Sequence, residues 1–183
     1  ATENVLGQAV PFVGEYGISR NPESFVSEAY RSYFTDKQRG VVLRLSKDGL
    51  TPVSDHGMKD WFRDNLKTTN TIVGSYDDRN DEYNVTLKDR VVDGQLAPTT
   101  VSFREDVKGW VSFKSFIPEN AISCANDYFT IKDGQLYKHY DESVDRNTFY
   151  GNHISSSLNV ILNDSPGSIK SFHTLDYEGS DSR

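Results

Sequence analysis

"SYFTDKQRGVVLRLSKDGL", residues Ser32 to Leu50, decides the fold class. Tyr33-Phe34-Thr35 is an aromatic and β-branched run, Asp36 to Gly40 is a polar turn closed by glycine, and Val41, Leu43 and Leu45 then alternate with Val42, Arg44 and Ser46. Strand side chains alternate between two faces, so this period of two predicts an antiparallel hairpin. A second Asp-Gly turn, Asp48-Gly49, sends the chain back again.

The plan recurs along the chain. In "NDYFTIKDGQLYKHY", Tyr128-Phe129-Thr130 aligns with Tyr33-Phe34-Thr35 and Gly134 with Gly40, and a turn one residue shorter sets Leu136, Tyr137 and Lys138 against Val42, Leu43 and Arg44. Between these copies lie "TIVGSYDDRNDEYNVTLK", two alternating segments joined by an acidic turn, and "TTVSFREDVKGWVSFKSF", which repeats the plan around Arg104 to Gly109. With Tyr76 as the middle copy the spacings are 43 and 52 residues. They bracket the period of about 40 to 50 of four-stranded propeller blades. A further hairpin is expected around Asp164 to Gly167, before a polar tail. Three or so blades cannot close a toroid without leaving strand edges bare. The expected fold is therefore mainly β, with antiparallel hairpins in blade-like repeats forming a partial β-propeller or an open sheet.

One segment breaks the period of two. Met58, Trp61, Phe62 and Leu66 fall at helical spacing behind Ser54 or Asp55 as cap, which predicts one short helix with a core-facing aromatic side, despite Gly57. Residues 1–27 carry Gly7, Gly14, Gly17, Pro11 and Pro22 without periodicity, so an extended arm or an irregular lead-in is expected there, and arms of this kind dock on neighbours. Residues 28–183 form the blade-like region. The chain begins at Ala1, has Met58 as its only methionine and has structured-looking sequence at both ends, so a segment of a longer polypeptide is expected.

Composition narrows the function. A chain of 183 residues with 36% hydrophobic residues, 10 Tyr and 10 Phe has material for a core. The formal charge of −7, without clustered Lys or Arg, argues against a dedicated nucleic-acid binder, which needs a basic face. The one cysteine, Cys124, rules out an intramolecular disulfide and suits assembly in a reducing cytoplasm; it is expected to be a buried small hydrophobe. The sequence has neither a membrane-length apolar run nor a signal-peptide pattern.

Catalytic signatures are missing: there is no Gly-x-Ser-x-Gly elbow, phosphate loop, dinucleotide fingerprint or His-Glu-x-x-His helix. His56, His139, His153 and His173 share no ligand spacing, so a metal site would have to assemble across the fold. Asp78, Asn80 and Glu82 alternate as in a calcium loop but lack its central glycine and terminal bidentate Glu, and a solvated turn accounts for them. Glu105-Asp106 and Asp141-Glu142 are neighbours on turns, whereas a glycosidase needs carboxyls facing each other across a cleft. Trp110, Phe113, Phe116, Tyr128 and Tyr137 are candidates for a sugar platform, although alternation places most of them in a sheet core. No catalytic, cofactor-binding or metal residue is predicted.

Several segments are more specific than their physics requires: "EYGISRNPESF", "YRSYFTDKQRGVVLRLSKDGLTPVSDHGMKDWFRDN", "GSYDDRNDEYNVTL", "KGWVSFKSFIPENAISCANDYFTIKDGQLYKH", "RNTFYG" and "LNDSPGSIKSFHTLDYEGS". From Glu15 to Ser180 the chain resembles large virion structural proteins of tailed bacteriophages, particularly marine and cyanobacterial phages. It is also similar to the propeller-bearing muzzle or nozzle proteins at the tail end of short-tailed and crAss-like phages. The resemblance implies a non-enzymatic component of the virion, most naturally of the tail, assembled in the host cytoplasm. Its partners would be other tail proteins, copies of itself in a ring and, in passing, phage DNA. The alternative is a receptor- or glycan-binding propeller module at the tail tip, for which Trp110 or Tyr137 would have to stand exposed beside a groove. An enzyme on a propeller scaffold ranks last, because no acid, base or metal cluster is visible in the sequence.

Overall fold

The computed structural model describes residues 14–161, 165–174 and 176. Thirteen residues of the expected arm, and Asp164 of the expected last hairpin, lie outside the described residues. The chain divides into two compact units, Ala1–Tyr140 and Asp141–Arg183.

In the first unit a 3-10 turn at Pro22–Ser24 leads into β1 (Val26–Ser27), β2 (Ser32–Asp36), β3 (Val41–Ser46) and β4 (Gly49–Pro52), one antiparallel sheet in chain order. A 3-10 turn at Val53–Asp55 and the helix α1 (Lys59–Leu66) follow. The second meander contains β5 (Ile72–Asp77) and β6 (Glu82–Leu87), then a small inserted ribbon, β7 (Val91–Val92) and β8 (Gln95–Leu96), then β9 (Thr99–Arg104) and β10 (Gly109–Lys114). Its sheet order is β10-β9-β6-β5. The third sheet is β11 (Asn120–Cys124), β12 (Asp127–Lys132) and β13 (Gln135–Lys138). The fold is mainly β with one short α-helix, as expected, in three consecutive antiparallel meanders. No helix among the described residues is long and apolar enough to cross a membrane.

The second sheet is the middle layer. All six residues of β6 are buried, which requires cover on both faces. Tyr83, Val85 and Leu87 join Ile72 and Phe103 in one cluster with Tyr33 and Val42 of the first sheet, Val53 and the helix residues Phe62 and Leu66. Tyr33 stacks on Tyr83 with ring centroids 4.8 Å apart. Each such side chain stabilises by about 1.5–3 kcal/mol when fully buried, so this face is the main source of cohesion. The alternate residues Ser75, Asn84, Thr86, Thr100 and Ser102 are also buried, on the face that meets Tyr128 of the third sheet.

The 3-10 turn at Pro22–Ser24 is clamped between two sheets. Ser24 Oγ accepts from the Thr35 N–H at 3.0 Å, and the Ser24 carbonyl accepts from Tyr83 Oη at 2.8 Å. That carbonyl lies so close to β5 that a Cβ on Gly74 would stand 2.0 Å from it, so only glycine fits. Residues 21–24 of the expected arm thus pack against the chain's own sheets.

Two turn types explain why the sequence repeat is blurred. The pairs Asp36↔Val41, Asp77↔Glu82 and Arg104↔Gly109 each enclose a four-residue loop. Each loop ends in a left-handed residue: Gly40 at φ 69°, Asp81 at 53° and Lys108 at 50°. The turns Ala125-Asn126 and Asp133-Gly134 instead have two residues, both at positive φ, the type I′ geometry that matches strand twist.

Aligning by glycine therefore misplaces the copies. Tyr33 pairs with Arg44, and the Tyr128 carbonyl accepts from the His139 N–H, so the two hairpins have the same register and Val42 corresponds to Tyr137, not Leu136. In the middle copy, Gly74, paired with Val85, stands where Tyr33 does; Tyr76 lies two residues nearer the loop. Asp81, not glycine, closes that loop, so no glycine marks it.

Three local expectations are also corrected. The helix cap is Met58, without a side-chain capping bond, because Ser54 and Asp55 are taken up in the preceding 3-10 turn. Cys124 is exposed, since it ends β11 on the face turned away from Tyr128. In the second unit the strands are β14 (Thr148–Phe149) and β15 (Asn152–His153), while the described residues flanking the turn Ser165–Ser168 form no strand. A lone two-stranded hairpin is marginal without a sheet to pack on.

Replacing Gly74 with Ala is expected to cost about 2–4 kcal/mol in urea unfolding, because strand and turn must separate. Replacing Ala125 with Gly is expected to gain about 0.5–1 kcal/mol in the same assay, since Ala125 holds φ 51° at a cost glycine does not bear.

Candidate functional site

The geometry concentrates at the two contacts of the middle sheet. On the aromatic side, Glu105, in the β9–β10 loop, accepts from Tyr33 Oη at 2.8 Å and from Arg44 Nη1 at 2.7 Å, tying β2 and β3 to the second sheet. Burial, reinforced by this carboxylate, pushes the Tyr33 hydroxyl far above the ordinary tyrosine range, so it remains a donor. Trp110 Nε1 donates to the Val53 carbonyl at 3.1 Å while its ring packs against Phe62 at 4.4 Å and Phe103 at 5.3 Å.

On the other side small polar groups satisfy one another. Ser102 Oγ donates to Asn84 Oδ1 at 2.5 Å, Asn84 Nδ2 donates to Tyr128 Oη at 3.4 Å, and Tyr128 Oη and Ser75 Oγ are 2.7 Å apart. Thr100 Oγ1 donates its one hydrogen to the Phe116 carbonyl at 2.7 Å, so the bond between Thr86 and Thr100 at 2.8 Å is donated by Thr86. Beyond them His139 is buried, with Nε2 2.8 Å from Thr130 Oγ1 and its ring edge-on to Phe116 and Tyr128. Burial pushes its pKa down to about 4, so it is neutral at pH 7. Tyr140 Oη donates to the buried Asp77 carboxylate and also accepts from Asn80 Nδ2 at 2.7 Å.

The candidates from the sequence fall mostly into these contacts. Phe116 and Tyr128 are packed between sheets, Trp110 is half-buried between its own sheet and α1, Tyr137 is half-buried, and Phe113 stands exposed with its ring against Trp61 at 5.5 Å. They do not form a platform. Asp78, Asn80 and Glu82 diverge: the Asp78 N–H donates to Ser123 Oγ, Asn80 turns to Asp77, and Glu82 pairs with Lys114 Nζ at 3.0 Å. His56, His153 and His173 are exposed and His139 is buried. Among the described residues no group of three or more His, Cys, Asp or Glu could hold a metal ion. Asp106 pairs with Arg104 on its own turn, while Glu105 reaches across to another sheet, a role its position in a polar turn concealed. The buried Ser, Thr and Asn of "NVTL" and "TTVSF" were equally hidden, since alternating polar residues look like a solvated face.

The outer face of the third sheet carries apolar groups. Ile122 pairs with Phe129 and Ile131 with Leu136, and Ile122 and Leu136 are 60% and 64% exposed.

Stacked meanders, rings consumed in packing and an apolar outer face describe a packing scaffold, and the comparison with known families gives its class as a phage tail-type structural protein. The model of the Crassvirus muzzle protein matches residues 3–134, and that of the Crassvirus muzzle protein C-terminal domain matches residues 144–183. The chain belongs to the Crassvirus muzzle protein family. The two matches fall on either side of the division between the compact units. They support the crAss-like side of the resemblance and give none to the marine and cyanobacterial side. No curated protein matches the chain.

His139 sets an expected pH dependence. Its folded pKa of about 4 lies below the unfolded value near 6.5, so the unfolded chain takes up the proton first. The contribution is complete above about pH 6.5 and is lost as pH falls toward 4, amounting to about 3 kcal/mol. Urea unfolding at pH 7 and pH 4.5 is expected to show this loss, and His139→Gln is expected to flatten the dependence over that window.

Proposed function

We propose that the chain is a wall-forming component of a phage tail, of muzzle or nozzle kind, that works by assembling with other virion proteins and with copies of itself in a ring. The observation that carries this reading is the family match over residues 3–134 on a fold whose large aromatic rings are used for packing sheets together. Stacked meanders resist deformation. In this reading residues 1–20 and the open strand edges join neighbouring subunits, because residues 21–27 are taken up by the chain's own sheets, and assembly takes place in the host cytoplasm before the chain enters the virion.

The mechanism is mechanical and uses no catalytic step: the wall holds the tail end together until host contact. If the chain lines the channel for phage DNA, its charge of −7 repels the phosphates and lets the duplex slide past. The glycan-binding alternative required Trp110 or Tyr137 beside a groove, and the packing of Trp110 against Phe62 and Phe103 favours the wall.

Mass spectrometry of purified phage particles tests the reading. Peptides of this chain are expected among the virion proteins. Finding them only in a free, soluble fraction and never in particles would overturn it.

A further inference from the structure

The first and second sheets have four strands each and the third has three. At one side of the third sheet β11 abuts β5, where Ser123 Oγ donates to the Tyr76 carbonyl at 2.7 Å and accepts from the Asp78 N–H at 3.1 Å. The other side ends at β13. The bond from the His139 N–H to the Tyr128 carbonyl, with the register Thr130↔Tyr137, turns the peptide groups of Tyr137 toward β12. Those of Leu136 and Lys138 consequently point outward, forming an edge to which no other strand among the described residues is paired.

The same chain holds a segment with the complementary property. Residues 154–161, "ISSSLNVI", place Ile154, Leu158 and Val160 at even positions with Ser and Asn between them, a strand pattern that pairs with no sheet among the described residues. Leu158 is 84% and Ile161 91% exposed. In an added strand Leu158 and Val160 share one face, which continues the stripe of Ile122, Phe129, Ile131 and Leu136.

We propose that residues 155–161 of a second copy of this chain add to the Leu136 edge as the fourth strand of the third sheet. A second copy is the occupant because the chain carries both the open edge and a segment it leaves unpaired, and exchange between identical chains satisfies both. Edge and donor are different surfaces, so reciprocal exchange closes a two-fold dimer and one-way donation repeats around a ring or along a filament. The inference rests on the structural-component reading and names the surface that reading needs.

The test uses the whole 183-residue chain. Leu136→Pro removes one outward N–H and leaves the bonds to β12, a change edge strands accept; Leu158→Asp disrupts the donor. Sedimentation analysis is expected to show self-association weakened about tenfold or more by each variant, with circular dichroism unchanged. In a Cys124→Ser background, chains bearing Leu136→Cys are mixed with chains bearing Leu158→Cys or Val160→Cys, and disulfides are expected between unlike chains. A wild-type chain that stays monomeric, association indifferent to both variants, or a same-chain disulfide when both cysteines are in one copy would each overturn the proposal. Those results alongside peptides in particles remove this contact and leave the tail reading standing. Association through this edge in a chain absent from particles does the reverse.

Discussion

A sheet covered on both faces has no water to satisfy its polar groups, and the rest of the structure follows from that constraint on β5, β6 and β9. The chain meets it differently on each face. Toward the first sheet the odd residues of β6 are Tyr83, Val85 and Leu87, which need only close contact, with the Tyr83 hydroxyl led out to the Ser24 carbonyl. Toward the third sheet the even residues are Glu82, Asn84 and Thr86, each given a partner: Lys114, Tyr128 and Thr100. Buried polar groups are stabilising only when so paired.

The constraint reaches into the connections. Pro22–Ser24 must approach β5 so closely that Gly74 is obligatory, and Glu105 must leave its turn to hold Tyr33 and Arg44. Charged and polar residues in turns are ordinarily solvated. Here one of them fastens two sheets, because Tyr33, buried in an aromatic stack, still needs an acceptor.

Much of the fold was legible. The alternation in Val41 to Ser46 and the helical spacing of Met58, Trp61, Phe62 and Leu66 each reflect one local periodicity, and local periodicity is what a sequence displays directly. The register between copies was not legible, since it depends on which loop residue takes the left-handed conformation, and Asp81 and Lys108 do so as well as Gly40. The contacts between sheets were hidden for a related reason. Ser75, Asn84, Thr100 and Ser102 alternate as solvent-facing residues do, and only the arrival of Tyr128 from far along the chain makes that face an interior. Cys124 misled in the opposite direction: a residue type usually buried stands at an exposed strand end.

The two faces of the middle sheet also differ in how they resist sliding. On the aromatic side Tyr33 and Tyr83 lie nearly parallel, at 17°, and dispersion attraction between flat rings changes gradually as one layer shifts over the other. On the other side, the bonds from Ser75 and Asn84 to a single Tyr128 hydroxyl are directional, and a displacement of an ångström or so takes them beyond hydrogen-bond length together. Under shear the third sheet is pinned to the second by these bonds, while on the aromatic side the rings yield gradually until the bonds of Glu105 to Tyr33 and Arg44 set the limit.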